Sequence, residues 1–68
     1  MPCTIDIVRI AATIAESGHA VTVDGISRYW GRSYGATHRM VKHAESMGWL
    51  ELGTLLPTPT GLEVTGRA

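Results

Sequence analysis

The chain has 68 residues, with six Lys or Arg against six Asp or Glu, no Phe, and a lone cysteine, Cys3. A chain this short forms one domain, residues 1–68, that buries only roughly 60% of its unfolded surface, so its stability is marginal or shared with a partner. One cysteine excludes an internal disulfide and points to a reducing interior. No apolar run reaches the roughly 20 residues of a membrane helix, and the first residues lack a signal-peptide pattern. The expectation is a soluble cytoplasmic protein without membrane association.

Thr4 to Ser17 reads as an amphipathic helix. Ile7, Val8, Ala11, Ile14 and Ala15 recur at helical spacing and form one apolar stripe. Thr4 suits the cap, Asp6 the first turn and Gly18 the stop. The following "HAVTV" has room for one extended segment at most.

Thr22 or Asp24 can cap a second, short helix that turns Val23, Ile26 and Trp30 inward, and Gly31 supplies a left-handed end. Ser33 then caps a third helix from about Tyr34 to Met47. Thr37, Met40, Val41, Ala44 and Met47 share its inner face, while Gly35, His38, Arg39, Lys42 and Glu45 share the other. Gly48 ends it.

In "WLELGTLLP" two short runs flank Gly53-Thr54, a pair suited to a type II′ hairpin turn. Thr58 with Pro59 behind it can start a short terminal helix or turn. A rival reading makes Leu62 to Thr65 the second strand, with Gly53 to Gly61 as a longer loop. The sequence leaves both open.

Charge is unevenly spread. "RYWGRSYGATHRMVKH", Arg28 to His43, holds four of the six basic residues, no carboxylate, and three aromatics, Tyr29, Trp30 and Tyr34. A neutral chain counts against strong nucleic-acid binding, because phosphate neutralisation drives much of that affinity; the clustering counts for it. Cations on an exposed helix face are ordinarily just solvated, and both Trp residues read as core.

The order helix, short strand, helix, tight turn, helix, hairpin resembles a winged helix-turn-helix domain of small bacterial or phage-type regulators. "VDGISRYWGRSYGATHRMVKHAESMGWL" is similar to the helix-turn-helix core of that superfamily, "ESMGWL" to the run entering the wing, and "TPTG" to the segment after it. The fold this resemblance implies is α+β, mainly α: three helices and a short C-terminal β-hairpin wing. Arg32 departs from the apolar turn residue usual there, Gly35 loosens the start of the third helix, and the wing is a stub without a basic tip.

The resemblance implies a transcriptional regulator that inserts the helix of about residues 34–47 into the major groove of double-stranded DNA. Carried over by position, the reading face is Ser33, Tyr34, Gly35, His38, Arg39 and Lys42. Arg39 is the candidate for a bidentate contact to guanine, with Arg28, Arg32 and Lys42 on phosphates. A palindromic site would require a homodimer. The alternative is a protein-binding module, an inhibitor or adaptor, that uses the same face on a protein partner; Arg and Tyr are enriched at interface hot spots. No cofactor is implied. His38 and His43 are badly spaced for a shared metal, His19 and Cys3 have no partner in sequence, and no acid–base or nucleophile constellation suggests an enzyme.

Overall fold

The computed structural model describes residues 3–67 and, for Cys3, the backbone alone; the expectation that Cys3 lacks a metal or disulfide partner falls outside the described side chains. Four helices follow in order: α1 (Cys3–Glu16), α2 (Val23–Trp30), α3 (Tyr34–Ser46) and α4 (Pro59–Val64). The first three pack against one another, and α4 lies on α1. Among the described residues no helix is long and apolar enough to cross a membrane.

Helix ends follow local chemistry. Thr22 Oγ1 accepts the Gly25 N–H at 2.9 Å and Ser33 Oγ accepts the Ala36 N–H at 3.2 Å, so both helices of the central pair are capped by a side-chain oxygen. Between them Gly31 adopts φ 77°, and the N–H groups of Gly31 and Arg32 both donate to the Ser27 carbonyl. A residue with a Cβ resists that left-handed geometry, so Gly31 is what lets α3 leave α2 after a three-residue turn. α1 begins one residue before the expected cap. Thr4 therefore lies within the first turn, where its buried hydroxyl sits 2.8 Å from His43 Nδ1 and ties α1 to α3.

The core is built where the apolar spacing placed it. Ile7, Val8, Ala11, Ile26, Val41 and Ala44 are buried from α1, α2 and α3, with Leu50 and Leu55 added from the following segment. Trp30, Trp49, Met40, Val23 and Ile14 are partly buried against this cluster. Met47, expected on the inner face, instead caps α3 from outside and is exposed.

The expected wing is absent, and the α+β winged arrangement is corrected to an all-helical one. Among the described residues extended pairing is limited to one antiparallel bridge, Leu50 to Pro57. Leu50 and Pro57 form a non-hydrogen-bonded pair, and the ladder ends because the Trp49 N–H donates to the Ala44 carbonyl on one side and the Glu51 carbonyl accepts from Leu55 on the other. The two bonds flanking the bridge run from the Glu51 N–H to the Leu56 carbonyl and from the Thr58 N–H to the Trp49 carbonyl. Within the loop the Leu55 N–H reaches back to the Glu51 carbonyl at 3.1 Å, a helical turn rather than a hairpin turn.

A two-residue turn at Gly53-Thr54 would put Leu52 and Leu55 side by side on one face. The chain instead buries Leu55 to 7% exposure and leaves Leu52 at 78%. Leu55 adopts φ 61° to do so. That backbone costs about 1–2 kcal/mol for a residue with a Cβ, against about 1.5–3 kcal/mol from burying a leucine side chain, so burial wins. The rival strand at Leu62 to Thr65 is also overturned, since α4 occupies Pro59–Val64 behind its Thr58 cap. The extended segment allowed in "HAVTV" forms no strand.

Candidate nucleic-acid interface

The turn and α3 carry most of the expected reading face. Ser33 is the cap, and Tyr34, Gly35, His38, Arg39 and Lys42 all lie exposed on α3. Tyr34, 57% exposed, stacks on His38 one turn later, with ring centroids 6.1 Å apart and planes at 15°. Gly35 faces open space: a Cβ built there meets nothing within 4 Å. Tyr34 and His38 therefore stand as one aromatic ridge beside a bare stretch of backbone.

The cations separate into two kinds. Arg9 pairs with Asp6, Arg28 with Asp24, Lys42 with Glu45 and Arg67 with Glu16. Among the described residues, Arg32 and Arg39 are the two Lys or Arg side chains with no carboxylate within 4.0 Å. Both line the same cleft, about 400 Å³, with Trp30, Ala36 and Met40. The Arg32 guanidinium lies over the Trp30 ring, 4.9 Å from its centroid. The fold thus cancels half of the clustered charge and concentrates the other half at the start of α3.

Lys42 and Arg28 differ from that pair in their surroundings. Lys42 Nζ lies 3.4 Å from Glu45 Oε1, on a side chain only 5% exposed, and that oxygen makes no hydrogen bond. Glu45, expected on the solvent face, is turned inward, and Lys42 is held by a carboxylate that cannot follow it into solvent. Arg28 makes an exposed pair with Asp24 at 3.2 Å and lines a different cleft, about 690 Å³, between the end of α1 and α2. The structure does not bring Arg28 to the cleft of Arg32 and Arg39.

Trp30 and Met40, expected as core, and Ala36, to which the sequence assigned no role, form the floor of this cleft. The unpaired state of the two arginines had a local signal. Arg28 has Asp24 four residues before it and Lys42 has Glu45 three residues after it, whereas neither Arg32 nor Arg39 has a carboxylate at helical spacing.

The fold and site define a small all-helical domain with an exposed basic and aromatic face at the start of its third helix. Set against known protein families, characterised proteins and solved structures, the chain matches none.

Proposed function

We propose that this chain is a cytoplasmic protein that binds duplex DNA by laying the first turns of α3 in the major groove. One observation carries the reading: the two unpaired guanidiniums, Arg32 and Arg39, lie in one cleft beside the exposed Tyr34, Gly35 and His38. A capped helix that follows another after a three-residue turn is the arrangement by which helix-turn-helix proteins offer a helix to the groove. With no wing, contact is confined to α3 and the turn before it, and a monomer covers a single short site. A two-fold symmetric site would engage two copies. A domain of this kind acts by occupying its site, which is the action of a transcriptional regulator.

An anisotropy titration against mixed-sequence duplex at several salt concentrations tests this. Each phosphate neutralised contributes about −0.9 to the slope of log K against log salt, so the slope is negative and steepens with the number of contacts. Binding that does not change with salt sinks the proposal.

A second reading has its own observation. Tyr29 is exposed at the rim of the larger cleft, whose lining is mostly apolar and includes Ile14 and Ala20. Exposed Tyr beside Arg28 suits a protein partner. A protein retained on the immobilised chain after nuclease treatment, and lost on Tyr29→Ala, favours this reading over DNA.

A further inference from the structure

Resting on the DNA reading, we infer that the cleft between the end of α2 and α3 is a clamp for one sugar–phosphate unit of a DNA strand. The phosphate lies between the guanidiniums of Arg32 and Arg39, and the deoxyribose rests on Trp30, Ala36 and Met40. Arg39 on this account holds backbone, and sequence is read by Tyr34 and His38, with Gly35 allowing close approach.

The lining selects the ligand. Both charged groups are guanidiniums, the side chains whose planar fork matches a phosphate in two places. Neither is engaged by a carboxylate, so an anion displaces no existing ion pair. Arg32 is held over the Trp30 ring at 4.9 Å, so part of the cost of ordering its long side chain is met before the ligand arrives. The remaining surface is indole, methyl and thioether, which gives nothing to a bare hydrated anion but suits the carbon face of a sugar. A cleft of about 400 Å³ has room for both parts. An adenine or cytosine edge, by contrast, would bring an amino group between two cations with no acceptor side chain to meet it, and a guanine edge, which presents acceptors alone, would make binding depend on sequence.

The clamp is tested by Arg32→Gln and Arg39→Gln, measured by anisotropy against several duplexes of scrambled sequence over about 50–200 mM salt. Each variant weakens all duplexes by the same factor, and because the two guanidiniums share one phosphate it is the double variant that lowers the salt slope by about 1. Arg9→Gln, on α1 and paired with Asp6, leaves the slope unchanged. A loss confined to one sequence assigns Arg39 to a base and overturns the clamp, as does an unaltered slope in the double variant.

A second measurement separates failure of the clamp from failure of the DNA reading. Thymidine 3′,5′-bisphosphate and inorganic phosphate are titrated separately into the labelled protein while the Trp30 indole N–H and the Arg32 and Arg39 Nε–H signals are followed by NMR. The bisphosphate moves all three signals, inorganic phosphate moves the arginines less, and the double variant abolishes the response at Trp30. Signals that move in a protein indifferent to duplex uphold the clamp and remove the DNA reading. Signals that stay still in a protein that binds duplex remove the clamp and leave the DNA reading in place.

Discussion

The backbone of Gly61 in α4 lies against the backbone of Trp49: a Cβ built on Gly61 would stand 2.1 Å from the Trp49 carbonyl oxygen. That carbonyl already accepts the Thr58 N–H at 3.0 Å, so it is not free to swing away. α4 rests on the segment after α3 only because position 61 has no side chain. Gly61→Ala lowers stability by about 1–3 kcal/mol, read as a drop in the midpoint of chemical or thermal unfolding. An unchanged midpoint would show that α4 does not dock as described.

Gly35 is the opposite case. It lies in α3 in open space, so alanine there meets no neighbour. Gly35→Ala raises stability by about 1 kcal/mol through helix propensity alone. If the bare backbone at position 35 is used to approach the groove, the same variant binds duplex more weakly while melting higher. A stabilised variant with wild-type affinity removes Gly35 from the interface.

Lys42 and Arg28 both sit in ion pairs, yet their loss has different costs. The Arg28–Asp24 pair is exposed on both sides, and such pairs contribute about 0–1 kcal/mol. Lys42 faces a carboxylate oxygen that is buried and makes no hydrogen bond. Lys42→Met leaves that oxygen with no compensating charge and costs about 1–3 kcal/mol, whereas Arg28→Met falls near zero. Adding Glu45→Gln to Lys42→Met recovers part of the loss. Equal unfolding midpoints for the two single variants would contradict the difference in burial.

The caps at Ser33 and Thr58 are not equivalent. Ser33 Oγ satisfies one N–H of α3, so Ser33→Ala costs about 1 kcal/mol. Thr58 Oγ1 accepts the Gly61 N–H at 3.0 Å and also donates to the Gly48 carbonyl, joining the start of α4 to the end of α3. Thr58→Ala removes both bonds and destabilises more than Ser33→Ala. The ranking is checked by denaturant midpoints at constant slope.

Apolar spacing and short-range chemistry were legible in the residues themselves. The first three helices, the Thr22, Ser33 and Thr58 caps, the Gly31 turn and the buried faces of Ile7, Ile26 and Val41 all follow from interactions within about one helical turn. The ion pairs of Arg28 and Lys42 lie at the same short spacing, so the isolation of Arg32 and Arg39 was written locally as well. What happens after Trp49 was not, because Gly53-Thr54 is compatible with a hairpin until Leu55 finds the core. Burial of that leucine and the approach of Gly61 to the Trp49 carbonyl act between segments that meet only when the helices pack. The same packing makes Trp30 both a core neighbour and the floor beneath Arg32. Local periodicity determined the helices and the exposed face of α3; the tertiary structure alone decided that there is no wing and that two arginines share one cleft.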